Sequence, residues 1–106
     1  MQVIEHEPQW WFLLEHEGSL FLDVNCSHSA IGYNFLLQLN AEELAAYQLQ
    51  GKPLLERIAQ AIQDSAPILI ISTSIYKQRN ASQHYGQQVN TAIQEWQQSQ
   101  TKSSAS

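Results

Sequence analysis

Between Ile31 and Leu39 every second residue is apolar: Ile31, Tyr33, Phe35, Leu37 and Leu39 alternate with Gly32, Asn34, Leu36, Gln38 and Asn40. Successive side chains of an extended chain point to opposite faces, so this run predicts a strand with one face in a core. Gly32, near its start, could host a bulge. The period changes at Asn40. Asn40 and Glu43 form a capping pair in which the Asn oxygen accepts from an orphan backbone N–H, and the acids at 42 and 43 suit the positive end of a helix dipole. A strand running directly into a helix is the firmest point from which to place the rest.

Two short apolar runs precede it. Trp10 to Leu14 and Leu20 to Val24 flank His16-Glu17-Gly18-Ser19, where Gly18 can supply the positive φ of a tight reversal, so a β-hairpin is predicted. Leu20, Leu22 and Val24 point one way, and Trp10, Phe12 and Leu14 are expected to share that buried face. Trp11, Leu13 and Glu15, with Phe21 on the other arm, make an outer face too apolar to be fully wet. The polar stretch Asn25 to Ser29 reads as a loop.

After Asn40 the helical stripe continues through Leu44, Ala45, Ala46 and Tyr47 to Gly51. Pro53 then sits where a fresh helix takes its first residue, and Leu54, Leu55, Ile58, Ala61 and Ile62 form the next stripe, ended by Pro67. Ile68 to Ile71 is a β-branched run without alternation, as expected of a strand buried on both faces. A polar link carrying Tyr76, Lys77 and Arg79 leads to a last helix, capped by Ser82 or Asn80, with the stripe Tyr85, Val89, Ala92, Ile93 and Trp96. Residues 98–106 have no apolar member but Ala105 and read as a disordered tail behind a single domain of residues 1–97. The order β-β-β-α-(α)-β-α predicts the α+β class: a small, mostly antiparallel sheet of about four strands with helices packed on one face.

The charges are segregated along the chain. From Met1 to Gly51 there are seven carboxylates (Glu5, Glu7, Glu15, Glu17, Asp23, Glu42, Glu43) and no Lys or Arg, whereas the rest holds five Lys/Arg against three acids. A one-signed field selects what approaches it. At a net charge of −5 phosphate repulsion opposes nucleic-acid binding. Four scattered glycines, Gly18, Gly32, Gly51 and Gly86, form no phosphate-cradling loop. No run approaches the roughly 18 apolar residues of a membrane span, and the acidic N-terminus lacks the basic region of a signal peptide. A single cysteine, Cys26, forms no intramolecular disulfide and suits a reducing compartment. We therefore expect a cytoplasmic protein without membrane contact.

Two constellations bear on chemistry. Cys26, with His28 two residues on and Asp23 before it, offers a thiol, a base and an orienting acid for a small hydrolase or transferase, with the distant His84 as another base. Metal ligation lacks paired spacings: His6, His16, His28 and His84 are isolated, and in the triplets Glu5-His6-Glu7 and Glu15-His16-Glu17 alternation turns the imidazole away from its neighbours. No metal or other cofactor is expected.

The reading that fits the charge break is a non-catalytic protein-interaction domain of regulatory or inhibitor type. Trp11, Phe21, Glu15 and Glu17 on the hairpin, and Tyr76, Lys77 and Arg79 on the link, are its expected binding residues. The expected partner is a protein with a basic surface or a second copy of the chain. The Cys26 enzyme is the alternative.

Overall fold

The computed structural model describes residues 1–28, 31–65, 76 and 79–105. Four strands, β1 (Gln2–Glu7), β2 (Trp11–His16), β3 (Ser19–His28) and β4 (Ile31–Gln38), are followed by α1 (Ala41–Gln50), α2 (Lys52–Ser65) and α3 (Ser82–Ala105). The sheet order is β1-β2-β3-β4, and each neighbouring pair is antiparallel. This is the expected small α+β fold with four antiparallel strands. The strand expected at Ile68 to Ile71 lies outside the described residues, and the four described strands include β1, which the sequence pattern does not announce.

Local chemistry explains the turns. Glu17 and Gly18 take φ of 51° and 83° between the paired His16 and Ser19, and two successive positive φ values give a hairpin turn whose twist matches the strands. Between β1 and β2, Pro8 fixes one φ and Gln9 adopts φ of 64°. The Trp10 N–H closes that turn onto the Glu7 carbonyl at 3.0 Å.

The hairpin's faces differ from expectation. Trp11 lies opposite Val24 and Leu13 opposite Leu22, while Phe12 faces Asp23 and Leu14 faces Phe21. Trp11 and Leu13 therefore share the face of Leu22 and Val24, and Phe12 and Leu14 belong to the other. Neither face is wet, because helices cover both. Trp11, Leu13, Leu22, Val24, Cys26, Phe35, Leu37 and Leu39 meet Leu55, Ile58, Ala59 and Ile62 of α2. On the opposite side Leu14, Phe21 and Leu36 meet Val89 and Ala92 of α3, with Phe12, Tyr85 and Ile93 at the margin. The expectation of helices on one face is corrected accordingly: the sheet is the middle layer. Each fully buried aliphatic side chain in these two cores contributes about 1.5–3 kcal/mol.

β3 also runs further than expected. Asn25, read as loop, pairs with Asn34, and Cys26 pairs with Tyr33; Cys26 continues the inward series of Leu22 and Val24, so the ladder persists through a polar stretch.

The helix signals hold. Asn40 Oδ1 accepts from the Glu43 N–H at 2.8 Å and Glu43 Oε1 accepts from the Asn40 N–H at 2.9 Å, the reciprocal capping box. Gly51, at φ of 70°, forms the elbow between α1 and α2. α1 buries no residue, and its Leu49 is 87% exposed. Asn80 Oδ1 accepts from the Ser82 N–H at 3.1 Å and from the Leu36 N–H at 3.4 Å, so the start of α3 is tied to β4 by Asn80, with Ser82 already in the helix. α3 continues to Ala105, across the stretch expected as a tail, since nothing after Gly86 breaks a helix.

Candidate functional site

The strand geometry separates the residues of the Cys26 constellation. Asp23 and Cys26 are three apart on β3 and so face opposite sides of the sheet. Cys26 is buried in the α2-side core, its thiol donating to the Val24 carbonyl at 3.7 Å. Burial pushes the thiol up to about 11, the Tyr33 hydroxyl opposing the rise and the Asp23 charge adding to it. A nucleophile needs a lowered value and access. His84 is exposed on α3, the layer on the far side of the sheet from Cys26. The side chain of His28, at the end of β3, lies outside the described residues.

The expected binding residues fall into three groups. Trp11 and Phe21, each 1% exposed, belong to the two different cores, so the expected apolar outer patch does not form. Tyr76 is buried with the Arg79 guanidinium 5.8 Å from its ring centre, and Lys77 lies outside the described residues. Arg79 grips Glu43 with both nitrogens, Nη2 to Oε1 at 2.6 Å and Nη1 to Oε2 at 3.1 Å, and Nη2 also donates to the Gln38 carbonyl at 3.1 Å. Burial alone would raise Glu43, but hydrogen bonds from Arg79 and the Asn40 N–H, with the Arg79 charge, hold it below its ordinary value. Of the described members of the set, Glu15 and Glu17 alone stand exposed.

The charge break thus closes on itself in part. Lys52 Nζ lies 2.7 Å from Glu7 Oε2 and 5.8 Å from the Trp11 ring centre, while Arg57 donates to Gln50. Glu5 accepts from the Tyr47 hydroxyl, which burial and then that carboxylate push up to about 12.

One site escaped the sequence reading. Asp23 is buried at 7% exposure on the α3 side, in a cross-strand row with Phe12 and Leu36. Among the described residues its donor is Asn34, whose Nδ2 lies 3.4 Å from Oδ1 and 3.3 Å from Oδ2. A groove opens on both sides of this pair. One cavity of about 290 Å³ is bounded by Trp10, Phe12, Asn25, Asn90 and Ile93, and another of about 510 Å³ by Leu36, Ser82, Gly86, Val89 and Asn90. Asp23, Asn34 and Asn90 border both, so the floor is one carboxylate among carboxamides. Burial pushes Asp23 up from 3.8 to about 6, and the Asn34 hydrogen bond opposes the shift. The sequence signal was an Asp on a strand otherwise apolar from Leu20 to Val24.

Among the described residues no three His, Cys, Asp or Glu side chains converge as metal ligands, and no helix is long and apolar enough to cross a membrane. No family model matches the chain, and no curated protein or solved structure matches it either.

Proposed function

We propose that this chain is a non-catalytic recognition domain for a protein with a basic surface, of regulatory or inhibitor type. The observation that carries the reading is a group of exposed acids at one end of the sheet that no Lys or Arg among the described residues pairs, Glu17 having only His16 at 3.9 Å beside it. The cations of Lys52 and Arg79 are held by Glu7 and Glu43 within the chain, whereas Glu15, Glu17 and Glu42 are exposed and have no Lys or Arg partner among the described residues. They share one end of the sheet. The Leu39 N–H donates to the Leu20 carbonyl at 2.9 Å and Gln38 Nε2 to Ser19 Oγ at 3.3 Å, which ties the start of α1 beside the Glu17–Gly18 turn. Exposed charges of one sign steer a complementary partner and discriminate against acidic ones. The buried thiol, at about 11, supports recognition over Cys-dependent catalysis.

The test compares two double variants that each remove two negative charges. Glu15→Gln with Glu17→Gln empties the turn end, and Asp64→Asn with Glu95→Gln removes exposed acids elsewhere. Partners captured by the parent chain at low salt and identified individually should be basic proteins. They should associate about tenfold more slowly with the turn variant and at the parental rate with the control. Equal losses in both variants, or capture insensitive to salt, contradict the proposal.

A further inference from the structure

The groove beside α3 has the form of a receptor for a cation. Asp23 carries a carboxylate with room for about four hydrogen bonds, and among the described residues a single amide nitrogen, forked over both oxygens at 3.3 and 3.4 Å, addresses it. Among the described residues no Lys, Arg or His borders either cavity. The nearest imidazole in the same cross-strand row, His6, is occupied in stacking on Phe12 at 5.7 Å and meeting Trp96 edge-on at 4.5 Å. A buried carboxylate without a cation is poorly compensated in the folded chain, and its raised proton affinity has that same origin.

The surroundings select among cations. The carboxamides of Asn34, Asn90 and Asn25 line the groove, and each carries an oxygen able to accept a hydrogen bond beside the carboxylate. A planar group with five N–H donors engages a carboxylate and neighbouring amide oxygens together better than the compact ammonium of lysine. Phe12, Trp10 and Ile93 supply an apolar wall along which an aliphatic stem can lie while its charged head reaches inward. We infer that the groove between β3, β4 and α3 binds the guanidinium group of an arginine side chain, with Asp23 as its counter-ion and Asn34 and Asn90 as further acceptors. The inference deepens the reading above, since a basic partner would bring that arginine. The groove lies on the α3 face and the acidic turn at the sheet's end, so the two can fail separately.

The full-length chain, labelled with nitrogen-15, is titrated with N-acetylarginine amide while the side-chain amide signals of Asn25, Asn34 and Asn90 are followed. Saturable shifts are expected with a Kd on the order of 1 mM, the affinity a few charge-assisted hydrogen bonds give a small ligand. The uncharged isostere N-acetylcitrulline amide should bind at least about tenfold more weakly, and Asp23→Asn should weaken the arginine derivative by a similar factor. Asn90→Lys, at an exposed position of α3, plants a cation at the rim and should abolish binding with the spectrum otherwise unchanged. Absence of saturation, equal binding of the citrulline derivative, or unchanged binding in either variant overturns the proposal. Partner capture that survives while the titration fails contradicts the groove alone; a positive titration with no partner capture contradicts the acidic turn and leaves the groove standing.

Discussion

Asp23 and Asn34 are diagonal neighbours across β3 and β4, the amide nitrogen of one forked over both carboxylate oxygens of the other at 3.4 and 3.3 Å. Such a bond offsets part of the cost of desolvating a carboxylate, and burial accordingly pushes Asp23 from 3.8 to about 6. The sign follows from proton linkage. Between those values the folded chain holds a proton that the unfolded chain has released, so this contribution to stability is full below 3.8 and is lost as pH rises through about 6. Asp23→Asn should therefore be more stable than the parent above neutral pH, by about 3 kcal/mol, and the difference should shrink in acid. Urea unfolding of both chains across pH measures it, with the other groups cancelling in the comparison.

Glu43 has the opposite sign. Its folded value is held down, so its contribution is present above its unfolded pKa and lost as pH falls through the folded value. The same residue completes the α1 capping box. Asn40→Ala should cost about 1 kcal/mol and Asn40→Gly a few tenths, read as a shift in urea midpoint at constant slope.

Cys26 should behave as packing. With the thiol buried and pushed up to about 11, a thiol reagent at mildly alkaline pH should label it only in denaturant. Cys26→Ala should remain folded at a cost of about 1 kcal/mol, whereas Cys26→Ser, which buries a hydroxyl, should cost more. Rapid native labelling would restore the nucleophile reading.

The β2–β3 turn holds two residues at positive φ, one of them a glutamate. Gly18→Ala should destabilise by about 1 kcal/mol, although open space surrounds the position, because the strain lies in the backbone. Glu17→Asn should gain about 0.5 kcal/mol, since Asn tolerates the left-handed region. Thermal unfolding of each single variant resolves both signs.

What could be read beforehand divides by the range of the interactions. The alternation from Ile31 to Leu39 and the Asn40–Glu43 box are local, and both stand in the structure. The hairpin was legible as a hairpin, but Trp11 to Leu14 is apolar at every position. Once α2 and α3 cover opposite faces, a period of two no longer says which set faces which core. β1 was hidden because Val3 and Ile4 are its only apolar residues, and a register shift between Val3 and Glu5 breaks the alternation. The burial of Asp23 depends on α3, which begins about sixty residues later, and no local pattern in β3 announces that cover.

The central claim is that a carboxylate with no cation partner among the described residues is buried beside an open groove. A carbon-13 NMR titration of the Asp23 side-chain carboxyl tests it directly. The account predicts a midpoint at about 6, moving downward when N-acetylarginine amide is added, because a bound cation favours the charged form. A midpoint near the ordinary value of 3.8 would mean that water or an existing partner already compensates the charge, and would contradict the account.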